Sequence, residues 1–196
     1  MASILKLDTL QLPDNRDVLV NGYPRMPGQV IEYLSSLCDG SIVTVGSGVY
    51  TFPNVTTQQV GTTAYQTITG SSLAYTPPTG ATRVIYQFEF SSYFVSAHAI
   101  NDYKFFIDGS EVVFARHNRS AQYQESRYTF TWPIAIGGTA NSNTGRQSAW
   151  ASAKTLSMQF RIYGASNNNN LHGTSYWDGG SGNQFSMPVL TIIAIA

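Results

Sequence analysis

The segment TLSMQFRIY, residues 155–163, decides the fold class, because its apolar and polar side chains alternate one by one. A strand with one buried face needs this period of two, whereas an amphipathic helix repeats its apolar positions about every 3.6 residues. RVIYQFEF, residues 83–90, and RYTFTW, residues 127–132, alternate in the same way. All three segments predict β-strands. Their expected core-facing residues are Leu156, Met158, Phe160 and Ile162, then Val84, Tyr86, Phe88 and Phe90, then Tyr128, Phe130 and Trp132.

Turn residues separate further strand-like segments along the chain. KFFIDGSEVVF, residues 104–114, predicts a hairpin, because Asp108 and Gly109 suit the positive φ angles of a tight turn. Shorter segments bring the expected total to about nine or ten strands, and we find no convincing helical period. The sequence therefore predicts an all-β fold, an antiparallel two-sheet sandwich that is jelly-roll-like. Immunoglobulin-like and lectin-like sandwiches stay open as alternatives, because composition and period do not distinguish them.

The charge balance limits the classes of partner. The 196 residues include 11 basic and 11 acidic residues, so the formal net charge is zero. Charged residues make up 11% of the chain, against about 25% in ordinary soluble proteins. We expect no nucleic-acid partner, because phosphate binding requires a basic surface. We expect no membrane insertion either, because no apolar run approaches about 18 residues. Such an uncharged surface suits a protein that is packed in an assembly.

The first 28 residues differ from the rest. Pro13, Pro24 and Pro27 interrupt any continuous strand ladder. We therefore predict that residues 1–28 form an extended N-terminal arm for anchoring and assembly, and that residues 29–196 form a single sandwich domain. An isolated arm cannot bury its own apolar side chains, so another subunit or a neighbouring protein is expected to cover them. These side chains are Ile4, Leu5, Leu7, Leu10 and Leu12.

The C-terminal run VLTIIAIA, residues 189–196, is apolar at nearly every position. Both faces of such a strand need cover. Two interpretations stay open: a central strand that is buried within one chain, or a strand that lines the axis of a homotrimer. The candidate seam residues of the second interpretation are Val189, Leu190, Ile192, Ile193 and Ile195.

The stretch SNNNNLHGTSYWDGGSGNQ, residues 166–184, connects the alternating strand to this apolar run. Sugar sites combine an aromatic platform with amide and carboxylate groups on a rigid scaffold, and this stretch has that composition. The candidate ligand residues are His172, Tyr176, Trp177, Asp178 and Asn183. The alternative is a plain connection whose aromatic residues fix it to the sandwich. We expect an exposed loop.

Catalytic and metal-binding patterns are weak. A glycosidase needs two carboxylates that face one cleft, and the clustered central acids are Asp102, Asp108, Glu111 and Glu125. Asp108 is better explained as a turn residue. The histidines at positions 98, 117 and 172 are too far apart in sequence for a local zinc site, and Cys38 adds no partner. We therefore expect no enzyme activity, no metal and no cofactor.

Several segments carry a family resemblance. They are SILKLDTLQL (residues 3–12), PGQVIEYLSS (27–36), TITGSSLAYTPPTGATRVIYQFEFS (67–91), KTLSMQFRIYGASNNNN (154–170) and PVLTIIAIA (188–196). Together they resemble a group of structural proteins from phages and large DNA viruses, which are tail-fibre-like or capsid-associated. In those proteins the loop that corresponds to residues 166–184 is the variable one.

The resemblance implies a virion structural protein that acts by assembly as a homotrimer. A long repetitive shaft is missing from this chain, which favours a minor capsid or decoration protein, or the head of a short fibre or spike. Its implied partners are further copies of itself and other capsid or tail proteins of the virion. One alternative is a module of a viral fibre that binds a receptor or a host surface glycan. A second alternative is a polysaccharide-degrading enzyme.

Overall fold

The structure is a computed structural model that describes residues 19–20, 23–24, 26–94, 99–121, 125–165, 169–175 and 183–196. These residues form short and long strands, and their single helical element is a 3-10 turn at Val113–Ala115. No helix in those ranges is long and apolar enough to cross a membrane. Most of the predicted arm, residues 1–28, lies outside the described residues, and there its extended form stays a prediction. In its described part the chain folds back, because Leu19–Val20 pairs antiparallel with Tyr23–Pro24.

The strands in chain order are β1 (Leu19–Val20), β2 (Tyr23–Pro24), β3 (Val30–Leu37), β4 (Ile42–Val45), β5 (Gly48–Thr51), β6 (Gln59–Val60), β7 (Gln66–Thr67), β8 (Leu73–Tyr75), β9 (Arg83–Phe94), β10 (Ala99–Ile107), β11 (Ser110–Glu111), β12 (His117–Ala121), β13 (Glu125–Ala135), β14 (Lys154–Ile162), β15 (Asn169–Leu171), β16 (Gly173–Ser175), β17 (Asn183–Phe185) and β18 (Val189–Ile195). They outnumber the nine or ten expected, because several have only two or three residues. So short a strand shows no period in the sequence.

The longer strands form two antiparallel sheets. The first sheet has the order β3–β18–β9–β13. Strand β18 covers β9 only as far as Glu89. Beyond that residue β15 pairs with the last residues of β9, and β6 pairs with β15. The second sheet is centred on the pair β10–β14. Strands β12 and β11 follow the free edge of β10, and β8 and β7 follow the free edge of β14.

The strand pairing is that of a jelly roll. The eight framework strands are, in chain order, β3, β8, β9, β10, β12, β13, β14 and β18. The first pairs with the eighth, the second with the seventh, the third with the sixth and the fourth with the fifth. This nested pairing is one long antiparallel hairpin rolled into two facing sheets. The prediction of an all-β, jelly-roll-like sandwich is therefore confirmed.

The core lies between the sheets, where the alternating segments place their apolar side chains. The even-numbered residues of β9 from Val84 to Phe90 are fully buried, as are Leu156, Met158 and Phe160 of β14. The rings of Tyr86 and Phe105, from opposite sheets, have centroids 4.9 Å apart, which is within the favourable range for aromatic pairs. The period-two interpretation of both strands is confirmed.

The predicted hairpin at residues 104–114 is also confirmed. Asp108 has φ 52° and Gly109 has φ 78°, and Ile107 pairs with Ser110 across the two-residue turn. Two consecutive positive φ angles match the twist of the flanking strands, which is why Asp-Gly is favoured in this position.

One carboxylate is buried at the edge of the core. Glu32 of β3 accepts hydrogen bonds from the Tyr75 hydroxyl at 2.7 Å, and from the Ser47 hydroxyl and amide at 2.6 and 2.8 Å. The Ser47 and Tyr50 hydroxyls are also 2.8 Å apart. Buried charge needs such partners. The network fixes the β4–β5 turn and β8 to the first sheet.

Different segments of the chain meet at the two ends of the sandwich. At one end, the Gly28 amide donates to the Ala196 carbonyl at 2.8 Å, and the Thr82 amide donates to the Ile195 carbonyl at 2.8 Å. The segment before residue 28 therefore joins the sandwich beside the end of β18. The opposite end is where β9 finishes at Phe94 and pairs with Asn169. We name these the arm end and the loop end.

Two glycines with matching backbone angles test the packing below the β10–β11 turn. Gly145 has φ 79° and Gly109 has φ 78°, so alanine at either position costs about 1–2 kcal/mol of backbone strain. A Cβ on Gly145 would lie 2.9 Å from Ile107 Cδ1, whereas a Cβ on Gly109 would meet nothing within 4 Å. We expect Gly145→Ala to lose about 1–3 kcal/mol more than Gly109→Ala, because of this overpacking. Thermal unfolding measures the difference, and equal losses would contradict the described packing.

Candidate functional site

The outward-facing side of the first sheet carries a continuous apolar row. Ile193 of β18 pairs with Tyr33 of β3 on one side and with Ile85 of β9 on the other, and Ile85 pairs with Pro133 of β13. Residues opposite each other in a sheet point to the same face. Tyr33 is 61% exposed, and the other three are exposed or partly exposed. We call these four residues the apolar row.

The neighbouring row on this face is polar but bonded within the sheet. Its members are Ser35, Thr191, Gln87 and Thr131. The Ser35 and Thr191 hydroxyls are 2.7 Å apart, and the Gln87 amide donates to the Thr131 hydroxyl at 3.2 Å. Polar groups that already have partners lose less when water is removed. This row can therefore be covered by another protein surface at low cost.

Charge on this face is sparse. Among the described side chains in the outward rows of β3, β18, β9 and β13, those with charge are Arg83, Glu89 and Arg127; a further acidic residue, Glu125, begins β13 at the loop end, where it pairs with Tyr93. Glu89 and Arg127 form an ion pair with each other. Arg83 lies at the arm end, opposite Ile195. The centre of the face, where the apolar row and the polar row lie side by side, is thus uncharged.

The outer side of the second sheet is different. Arg161 and Asp102 form an ion pair at 2.9 Å, and Glu111 accepts from Lys104 at 3.2 Å and from Arg116 at 2.5 Å. The hydrogen bond from Arg116 holds the pKa of Glu111 below its usual value. A general acid needs a raised pKa, so Glu111 is not suited to that role. Such paired, exposed charges are typical of a surface that faces water.

The candidate seam residues divide between the two faces of β18, which lies between β3 and β9. Leu190 and Ile192 are fully buried in the core of the chain itself. Their assignment to an intersubunit seam is corrected, because side chains alternate along the strand and these two point inward. Val189, Ile193 and Ile195 point outward and are partly exposed. The predicted seam is thereby reduced to these three.

The predicted arm residues Ile4, Leu5, Leu7, Leu10 and Leu12 lie outside the described residues. So do Tyr176, Trp177 and Asp178 of the candidate ligand loop. Asn183 begins β17, where its backbone pairs with Ser175. The roles predicted for all these residues, in assembly for the arm and in ligand binding for the loop, stay predictions.

His172 does not face a ligand. Its side chain is fully buried, and its ring centroid lies 6.4 Å from that of Phe88 and 6.2 Å from that of Phe90. Its positive φ of 59° turns the chain between β15 and β16. The sequence placed His172 in an exposed loop, and this assignment is corrected: the ring belongs to the core.

The buried imidazole has an unusual environment. Within the part of the chain that the structure describes, neither ring nitrogen has a hydrogen-bond partner. Burial lowers the pKa of His172 from 6.5 to about 4, and the nearby backbone of Thr69 opposes the shift without cancelling it. The neutral ring is therefore the form that the core accommodates.

A depression at the loop end was not predicted from the sequence. It measures about 380 Å³ and is lined by Ser91, Ser126, Arg127, Gly173, Thr174 and Ser186. The one signal in the sequence is Ser91-Ser92, which interrupts the aromatic residues of β9 between Phe90 and Tyr93. We call this depression the serine pocket.

The described residues also bear on metal binding. No group of three or more His, Cys, Asp or Glu side chains in the described ranges is placed to hold a metal ion. The thiol of Cys38 is buried, and burial raises its pKa to about 12. A thiol that stays protonated is a poor ligand and a poor nucleophile.

His172 predicts a loss of stability in acid. As the pH falls below 6.5, the unfolded chain takes up a proton at this position, whereas the folded chain does so near pH 4. We expect unfolding experiments to show a loss of about 3 kcal/mol across this window, which His172→Phe removes. His117→Phe is the control: burial also lowers the pKa of His117, a shift that the hydrogen bond to the Ala115 carbonyl opposes, so this variant should remove less of the loss than His172→Phe does. An unchanged pH dependence in His172→Phe would contradict the assignment.

Comparisons with known proteins add little. No family model matches the chain, and a search of curated proteins finds no match. Among solved structures 11 chains match. One is a chain from the structure of infectious bursal disease virus Gt strain, with a TM-score of 0.30 and 11% sequence identity. The alignment covers 80% of this chain and 42% of that chain, so the protein spans less than half the length of this match. At this level of similarity it gives no basis for a family or a function.

Proposed function

We propose that the protein is a virion structural protein that works by assembling with copies of itself through the outer face of its first sheet. The observation that carries the proposal is the apolar row, which runs across all four strands of that face. Its centre, at Ile85 and Ile193, lies beside polar groups that are already bonded within the sheet. Exposed apolar surface of this kind marks an interaction site in soluble proteins.

A second copy of this chain is the occupant that the charge pattern favours. The chain has no net charge, so copies do not repel each other at long range. A partner with a strongly charged surface would find no complementary charges in the centre of the face. The charged outer side of the second sheet is then left facing water.

The face alone is smaller than a stable interface needs. Four strands about 4.8 Å apart and seven residues of about 3.3 Å each give a footprint of roughly 400 Å². A stable interface buries about 800 Å² on each partner. The β4–β5 hairpin, which packs beside β3, adds exposed Ile42 (68%) and Val49 (65%). In a ring each copy contacts two neighbours, so both regions are covered. The count of three copies comes from the family resemblance.

The virion role follows from the same resemblance together with the jelly roll. This fold occurs in viral capsid proteins but also in lectins and cupins, so the fold alone does not select the function. The predicted apolar arm joins the sandwich at the arm end, where a capsid or tail protein would hold it. The loop end then points away from the particle, as in a decoration protein, a minor capsid protein or the head of a short fibre or spike.

Substitution at the centre of the apolar row tests the assembly. Light scattering should give the wild-type protein a mass about three times the 21.4 kDa of one chain. Ile193→Lys should give one chain, because the ammonium group cannot be buried unpaired. Ser157→Lys, on the outer side of the second sheet, is the control and should keep the wild-type mass. A wild-type mass of one chain, or an assembled Ile193→Lys variant with an intact thermal transition, would contradict the proposal.

Purified particles test the location. We expect mass spectrometry to detect the protein in virions that have been washed free of lysate, and deletion of its gene to reduce particle integrity or attachment. Absence of the protein from such particles would reject the virion role, even if the recombinant protein assembles.

A further inference from the structure

Strand β13 is the edge strand of the first sheet. It pairs with β9 along its whole length, from Glu125 to Ala135, and a bridge between Ile136 and Gln147 follows at the arm end. Within the described part of the chain, no other strand pairs with β13. An edge strand of this length presents a row of N–H and C=O groups that a further strand can join.

The hydrogen bonds at the arm end show which backbone groups point away from β9. The Ile136 amide donates to the Thr82 carbonyl, on the β9 side, at 2.8 Å. The Ala135 carbonyl accepts from the Gln147 amide at 3.0 Å, on the opposite side. Backbone groups alternate in direction along a strand, so the even-numbered residues of β13 bond to β9 and the odd-numbered ones point away from it. We call the backbone groups of three odd-numbered residues the open edge: Arg127, Thr129 and Thr131.

Pro133 agrees with this assignment. Proline lacks an N–H, so within a sheet it is tolerated where that group would face a free edge. Its odd number places the missing N–H on the side of the open edge. Among the described residues, no backbone hydrogen bond reaches the open edge, and the side chains there are exposed. The N–H groups of the open edge are therefore available to another strand.

The side chains beside the open edge favour an apolar strand. On the inner face of β13, Tyr128 and Trp132 pack against the core and are only partly buried. On the outer face, Pro133 ends the apolar row. The charged residue at this edge, Arg127, is already paired with Glu89. A strand with apolar side chains on both of its faces would therefore pack beside apolar neighbours on both sides of the sheet.

The predicted arm has the composition that this edge needs. Its segment SILKLDTLQL, residues 3–12, contains no proline, so each of its residues can donate an N–H to a partner strand. Side chains of odd and even residues lie on opposite faces of a strand. The apolar residues of the segment occur at both: Ile4, Leu5, Leu7, Leu10 and Leu12. The segment itself lies outside the described residues.

The topology favours the arm of a neighbouring copy as the occupant. The chain joins the sandwich at Gly28, before β3, whereas β13 is at the opposite edge of the first sheet. In a ring, copies meet through different sides, so the β3 side of one copy lies beside the β13 side of the next. The chain folds back at Leu19–Pro24. Residues 13–18 and 25–27 can still span up to about 30 Å, which is about twice the width of a four-stranded sheet.

We propose that residues 3–12 of one copy add a strand to the open edge of β13 in a neighbouring copy. The inference rests on the proposed assembly and deepens it, because it names what the arm binds. A single strand of this length binds weakly, so it docks where the outer face already holds two copies together. Each exchanged arm then adds area to an interface that the face alone does not complete.

Hydrogen exchange resolved to single amides tests the docking with the full chain. In the assembled wild-type protein, we expect the Thr129 and Thr131 amides to exchange at least about tenfold more slowly than in Ile193→Lys, which is expected to be a single chain. The Phe130 amide is the internal control. It points to β9, so it should exchange slowly in both proteins.

The double variant Leu7→Pro with Asp8→Pro identifies the occupant. Neighbouring N–H groups of a strand point to opposite sides, so one of the two prolines removes a bond to β13 in any register. We expect the Thr129 and Thr131 amides to lose their slow exchange in this variant. The matched control, Leu7→Val with Asp8→Thr, keeps both N–H groups and should keep the slow exchange. Thermal unfolding checks that both variants are folded.

The outcomes separate this inference from the assembly proposal. Fast exchange at Thr129 and Thr131 in a wild-type protein of assembled mass would overturn the arm docking alone. Slow exchange that survives the two prolines would show that a different strand occupies the edge, and slow exchange in single Ile193→Lys chains would show that each chain holds its own arm. Either result would overturn the inference. A wild-type mass of one chain would reject the assembly proposal, and this inference with it.

Discussion

The ladder that β9 forms with β18 on one side and β13 on the other is the interaction on which the rest of the structure depends. Its inward side chains, from Val84 to Phe90, fill the core, and its outward ones supply Ile85 and Gln87 to the exposed face. A shift of one residue in either pairing would exchange the two sets. The register that buries the apolar side chains in the core therefore also decides which residues lie on the outer face.

The sequence predicted the parts of the fold that depend on local alternation. TLSMQFRIY and RVIYQFEF each show one apolar face, and the Asp108-Gly109 turn follows from its backbone preference. The C-terminal run could not be resolved in this way, because its residues are apolar on both sides. What decides its orientation is pairing with β3, about 160 residues away in the chain. His172 was misplaced for a related reason: a polar neighbourhood in sequence does not reveal a backbone turn that directs one ring inward.

The two outer surfaces of the sandwich have opposite chemistry on the same scaffold. One has rows of apolar and internally bonded polar residues, and the other has ion pairs around Asp102 and Glu111. Jelly rolls serve many functions, so this contrast says more about function than the fold does. The serine pocket lies where the uncharged face ends, and Arg127 of the Glu89–Arg127 pair lines it.

A structure of the assembled protein in solution, determined by electron cryomicroscopy, tests the central claim most directly. We expect Ile85 and Ile193 of each copy to contact a neighbouring copy, and the Asp102–Arg161 pair to face solvent. A structure in which the copies meet through the outer side of the second sheet, with Ile85 and Ile193 exposed to water, would contradict it.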